Sequence, residues 1–282
     1  MGAIRFSSNA DIDRHFAKGI GTGERSDYRP GFLVREFPAS SRSSILPCEI
    51  NGRELQLLDP LDRDYCLLTM HFGRVSDIRE SMPAHPSRTL AIAKALELKH
   101  PVHMNGVPKI LLTSFVLTMK DIGGKPLNVA RSILPVPKRA WSAQQIRERL
   151  TTLEILRVYW KMQGMPWLIV SAHQVNRTLV QNVDFAFEAT KVDEIVRDID
   201  GYDVFLEAAS KLDWTSAAIE VCVRSIARDT RRSFEETMNF FKLSIWKRDV
   251  RFDMTKVRWR ATLSVSGLTT IRMAGGEALK AA

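Results

Sequence analysis

DPLDRDYCLLTMHF at 59–72, VSDIRE at 75–80, LELKHPVH at 96–103, ILLTSFVLTMK at 110–120 and LNVARSIL at 127–134 decide the fold. Asp59 can cap a helix that runs to Phe72, because Leu61, Tyr65, Leu68 and Phe72 recur at helical spacing. Residues 75–81 read as a buried strand. Ser87 opens TLAIAKALEL, whose Leu90, Ala93 and Leu96 or Leu98 suit a one-faced helix. Residues 110–120 and 127–134 read as strands joined by DIGGKP, a glycine-containing hairpin turn. Helix, strand, helix and hairpin make an α/β module.

Working outward, residues 1–30 are polar and end in GIGTGERSDYRP, which reads as a flexible leader. FLVREFP at 32–38 and SSILPCEI at 43–50 read as short strands, so the first domain is expected over 31–140. A second domain is expected over 141–270. Ser142 and Gln145 form a capping box that leads a helix to Gly164, and PWLIVSA at 166–172 is strand-like. Helical patterns follow at 193–200, 204–212 and 216–228. A second capping box, Ser233 to Glu236, opens a helix through Arg248. RFDM at 251–254 and RATLSV at 260–265 could form a β wing beside it, and 271–282 reads as a tail.

With 282 residues, two domains of ordinary size are comfortable. Apolar runs are short and flanked by charge, so no membrane span is expected. The start lacks the apolar core of a signal peptide, and Cys48, Cys66 and Cys222 stand far apart without metal or disulfide spacing. A cytoplasmic protein with reduced, buried thiols is the expectation. The net charge is +9, and residues 220–282 hold thirteen Lys and Arg against seven Asp and Glu. Such a surplus attracts phosphate backbones by counterion release, or acidic partner segments, or simply solvates a face.

A helix carboxylate followed by a hairpin with an acid and a (Glu/Gln)-x-Lys is the layout of restriction-type metal nucleases. LDRDYCLL (61–68), SDIRESMP (76–83), TLAIAKALELKHPVH (89–103), LLTSFVLT (111–118) and ARSILP (130–135) resemble the TnsA family, the endonuclease subunits of heteromeric Tns-type transposons. LTTLEILRVYWKMQGMPWLIVS (150–171), LVQNVDF (179–185) and RDVRFDMTKVRW (248–259) continue the resemblance in family order. It implies a restriction-endonuclease-like N-terminal domain and a mainly helical, winged-helix-like C-terminal domain. It implies cleavage of the non-transferred 5′ strands at transposon ends. The implied partners are a TnsB-like DDE transposase, a TnsC-like AAA+ ATPase and transposon-end DNA.

The same resemblance places a helix Glu, a strand Asp and a Gln-x-Lys in the family site, where two carboxylates hold Mg²⁺ and the Lys positions or activates water. The matching positions here are Asp62, Ser114, Ser132 and Leu134. Asp62 is a carboxylate shortened by one methylene, and the other three carry no charge. Lys120 lies on the Ser114 face but six residues along, roughly 20 Å away. The expectation is a pseudo-nuclease with no catalytic residue and no cofactor, scaffolding the transposition complex, with cleavage supplied if at all by an active nuclease paralogue. Two alternatives stay open. One is an active endonuclease with a rebuilt Mg²⁺ site on Asp62 and Asp59, and the other is a DNA-binding or regulatory module.

Several further residues need a reading. Asp77, Arg79 and Glu80 are expected to support their strand by ion pairing. His100 and His103 are expected to build a loop rather than hold metal, and Trp160, Trp167 and Cys66 to pack. The candidates for DNA or partner binding are Arg224, Arg228, Arg231, Arg232, Lys242, Lys247, Arg248, Arg251, Lys256, Arg258 and Arg260.

Overall fold

The computed structural model describes residues 6–36, 42–72, 74–121, 123–135, 141–214, 217–256, 258–259 and 268–271. The chain divides into two compact units, Met1–Val175 and Asn176–Ala282. The first is α/β and the second mainly helical, as the sequence pattern requires.

In the first unit, α1 (Asn9–Phe16) precedes a two-stranded hairpin of β1 (Ser44–Cys48) and β2 (Arg53–Leu57). Next come α2 (Pro60–Phe72), β3 (Val75–Ala84), α3 (Pro86–Ala95), β4 (Leu111–Lys120), β5 (Pro126–Leu134), α4 (Ala143–Met162) and β6 (Trp167–Ser171). The main sheet has the order β3-β4-β5-β6, antiparallel except for the parallel β5–β6 pair. Side-chain caps start the helices where polar residues allow it. The Asp59 carboxylate accepts from Leu61 N–H at 2.9 Å, and Ser142 with Gln145 forms the full capping box of α4. Helix α3 departs from expectation, because the His85 ring rather than Ser87 accepts the first-turn N–H, with Pro86 leading the helix. The hairpin turn closes through Asp121, which accepts from Lys125 N–H at 2.7 Å, with Gly124 at φ +80°.

Helices α3 and α4 and strands β4 and β5 share a core of Ile92, Val116, Ala130, Ile155 and Trp160. The Trp160 indole donates to Thr113 Oγ1 at 2.8 Å inside it. Trp160→Phe should therefore cost about 1–3 kcal/mol by leaving Thr113 unpaired, measurable as a lowered urea midpoint.

Three expectations change. The leader over 1–30 is not flexible where it is described. Ile12 of α1 is buried with Phe6 and Ile110, and the Tyr28 hydroxyl donates to the Glu80 carbonyl at 2.9 Å. An amphipathic helix with so few apolar positions gives a weak periodic signal, and its docking partners lie far along the chain. Residues 34–36 form a 3₁₀ turn rather than a strand, while 37–38 lie outside the described residues. The domain boundary expected at 140/141 falls at Val175, because β6 joins the sheet beside β5 and α4 packs on it.

In the second unit, α5 (Arg177–Phe187), α6 (Asp193–Arg197), α7 (Ile199–Ser210), α8 (Ile219–Asp229) and α9 (Phe234–Trp246) surround Phe205, Trp214, Phe240 and Phe241. The capping box of Ser233 and Glu236 opens α9. Strand β7 (Val250–Phe252) pairs antiparallel with β8 (Leu268–Ile271). The wing strand expected at 260–265 and the tail beyond Ile271 lie outside the described residues. No helix among the described residues is long and apolar enough to cross a membrane.

Candidate functional site

Two of the positions singled out in the sequence, Asp62 and Ser114, meet where the main sheet parts, and Ser132 and Leu134 lie on the adjoining end of β5. The β4–β5 ladder runs from Lys120↔Pro126 to Phe115↔Arg131. Beyond it, β4 stays with β3 through Leu111, while β5 stays with β6 through Leu134. At the fork the Ser114 hydroxyl accepts from Ile133 N–H at 3.0 Å, a side chain standing in for the lost backbone acceptor. The same hydroxyl hydrogen-bonds the Asp62 carboxyl from the first turn of α2. Ser132 is buried, and its oxygen accepts from the Trp167 indole N–H at 3.0 Å. Leu134 pairs with Ser171 across the β5–β6 ladder.

The charges at this fork are unusual. Burial, then the neighbouring Asp59 carboxylate, pushes the Asp62 carboxyl up to about 7, against the pull of the Ser114 hydrogen bond and of Arg149. Arg149, on the second turn of α4, is half-buried with its guanidinium 4.8 Å from the centre of the Trp141 ring. Burial holds its pKa below the usual arginine range, while Asp59 and Asp62 oppose that shift. Sequence reading missed Arg149. Its influence is on acids of a different helix, and locally it is one more arginine beside Glu148 and Leu150. Among the described residues, no three His, Cys, Asp or Glu side chains gather closely enough to hold a metal ion.

The DIRE segment is structural, as expected. Glu80 is buried and receives both Arg53 guanidinium nitrogens, at 2.8 and 2.6 Å, together with Gln56 N–H at 2.9 Å. Asp77 pairs with Arg79 at 3.2 Å, and Arg79 donates to Thr118 and Asn128. Asn51, which the sequence did not single out, is buried between β1 and β2. It donates to Asp77 and the Ile78 carbonyl and accepts from Ile78 N–H. His100 bonds Thr89 Oγ1 at 2.9 Å and the Pro101 carbonyl at 2.8 Å, and burial lowers its pKa. Cys66 is fully buried and its thiol is pushed up by desolvation.

The basic candidates of the second unit differ in what engages them. Arg224 pairs with Glu220 at 2.7 Å, Arg232 with Asp198 at 2.8 Å, and Lys256 with Asp253 at 3.0 Å. Lys242 and Lys247 lie over the Phe185 and Tyr202 rings, at 4.7 and 4.3 Å. Arg251 donates to the Arg248 carbonyl, and both Arg231 and Arg248 adopt left-handed backbone. Arg228, Arg231 and Arg258 are exposed without an ion pair to any carboxylate among the described residues. Arg260 lies outside those residues.

No protein-family model matches the chain. It is 31% identical over 192 residues to the transposon Tn7 transposition protein TnsA of Escherichia coli, an alignment that covers 68% of this chain and 67% of that protein.

Proposed function

The chain belongs to the TnsA family of transposition proteins, and on that premise we propose that it serves a transposition complex as a subunit that does not cleave DNA. The observation carrying this reading is the chemistry at the fork of the sheet. Ser114 is spent on Ile133 N–H and Asp62, and Ser132 on the Trp167 indole. These are internal hydrogen bonds, not vacant ligand positions. Mg²⁺ sheds its waters reluctantly and favours one or two carboxylates in near-octahedral geometry. Asp62 is half protonated near neutral pH and Asp59 caps α2, so the donor set does not fit that ion. Leu134 supplies no cation to steady developing charge, a contribution usually worth about 3–4 kcal/mol of barrier.

The retained role is to join a TnsB-like DDE transposase, a TnsC-like AAA+ ATPase and transposon-end DNA. The second unit would act there as a winged-helix-like module, a reading supported by α8, α9 and the β7–β8 pair. The test is strand-resolved mapping of transposon-end DNA with this protein, its transposase and its ATPase, in Mg²⁺ or Mn²⁺. Nicked 3′ strands beside intact 5′ strands are expected, and cointegrates rather than simple insertions as products unless an active paralogue supplies the missing cut. Cut 5′ strands that disappear in Asp62→Ala would overturn the reading and install the rebuilt-site nuclease.

A DNA contact has its own support in Arg228, Arg231 and Arg258, which are exposed and carry no ion pair among the described residues. Each phosphate contact adds about 0.9 to the salt slope of duplex binding. Replacing all three with alanine should flatten log Kd against log salt by up to about 2.7 on that scale. An unchanged slope would assign these arginines to a protein partner or to solvent.

A further inference from the structure

The first half of α4 and the segment after α3 enclose a crevice of about 400 Å³, and none of the fork positions Asp62, Ser114, Ser132 and Leu134 lines it. Gln144, Arg147, Glu148 and Thr151 recur at steps of three and four residues, so they share one face of α4. Lys99 and His100 line the other side. That side is held in place by hydrogen bonds. His100 bonds Thr89 and the Pro101 carbonyl, and the same carbonyl accepts from Lys109 N–H at 2.9 Å. The Lys109 ammonium pairs with Glu148, the one carboxylate lining the crevice among the described residues, and offsets its charge. Lys99 and Arg147 are exposed and carry no ion pair or side-chain hydrogen bond among the described residues. The Gln144 amide and the Thr151 hydroxyl have no partner there either. A guanidinium, an ammonium, an amide and a hydroxyl thus line one crevice beside the positive end of a 20-residue helix.

We propose that this crevice is a phosphate-binding site. A phosphate has oxygens enough to use all four groups: two for the Arg147 fork, the others for the Lys99 ammonium, the Gln144 amide and the Thr151 hydroxyl. A peptide carboxylate fits less well, because protein partners are held chiefly by large side chains filling apolar pockets. Pro101 and Val102 are the apolar side chains lining this crevice among the described residues. Neither Lys99 nor Arg147 is one of the family site positions or one of the basic candidates of the second unit. Two sources supply the same chemistry, the backbone of transposon-end DNA and a free phosphate ion or ester. The DNA source rests on the reading above of a subunit that engages transposon-end DNA, whereas the site itself does not.

The experiment measures binding of the full chain to a fluorescein-labelled transposon-end duplex over a range of salt. In parallel it follows thermal unfolding in inorganic phosphate against chloride of equal ionic strength. The proteins are the wild type, a charge variant (Lys99→Gln/Arg147→Gln) and a neutral variant (Gln144→Ala/Thr151→Val), each checked for folding by its melting curve without phosphate. With DNA as the source, the charge variant flattens log Kd against log salt by about 1.8, the share of two phosphate contacts. The neutral variant then weakens duplex binding several-fold at an unchanged slope, by loss of uncharged hydrogen bonds. With a free phosphate as the source, inorganic phosphate raises the melting temperature of the wild type and raises that of both variants less, while duplex binding is equal in all three. Either pattern supports the site. Equal duplex binding and equal phosphate response in all three proteins overturns it. So does a loss confined to the charge variant, which would reduce the crevice to diffuse surface charge. No duplex binding beside an intact phosphate response would sink the DNA-engaging reading and leave the site standing. Cleavage of 5′ strands bears only on the non-cleaving reading and is read in its own assay.

Discussion

Glu80→Ala should destabilise the first unit by about 3–5 kcal/mol, the cost of leaving one partner of a buried ion pair alone. The Arg53 side chain is only 12% exposed, and its guanidinium binds Glu80 with both terminal nitrogens. Removing the carboxylate strands that charge and orphans Gln56 N–H, which Glu80 also receives. The Arg53 guanidinium also lies 5.1 Å from the centre of the Tyr28 ring, and its Nε donates to the Arg25 carbonyl. Loss of Glu80 should therefore loosen the N-terminal arm as well as the β1–β2 hairpin. Urea unfolding gives the magnitude, and hydrogen exchange gives the place: lost protection should concentrate in 25–36 and 44–57. A change under 1 kcal/mol would show that the pair is solvated and not the anchor of β3.

Asp62→Asn should stabilise the protein above pH 7, by about 2–4 kcal/mol from the linkage between pKa and folding. The sign follows from the raised carboxyl. In the folded chain Asp62 titrates near 7, against 3.8 as the ordinary value, so between these limits the folded state binds more protons than the unfolded one. Stability is then fully present below about pH 4 and falls as pH rises to 7, after which this contribution is flat. An asparagine removes that loss, so the advantage of the variant should grow from pH 4 to 7 and level off. The charged groups facing Asp62 are Asp59, which raises its pKa, and Arg149, which lowers it. Melting curves from pH 4 to 9 test the profile. A variant that is less stable than wild type at pH 8 would mean that Asp62 is ionised and held by a favourable partner.

Much of the fold is legible in the sequence because its signals are local. The helix at Pro60–Phe72, the hairpin closed by Asp121 and Gly124, and the capping boxes at Ser142 and Ser233 each depend on neighbours within a few positions. Residue chemistry alone likewise determines that Ser114, Ser132 and Leu134 carry no charge. What those residues do instead was decided by tertiary structure. Ser114 bridges Ile133 and Asp62, and Ser132 receives Trp167, through contacts between elements separated by long stretches of chain. The same holds for Arg149 facing the start of α2, for Asn51 inside the DIRE network, and for the docking of α1. The parallel pairing of β6 with β5, which moves the unit boundary to Val175, is of this kind too. Periodicity and capping are written one or two turns at a time. Side-chain convergence, and the desolvation that lifts Asp62, exist only once distant segments have packed.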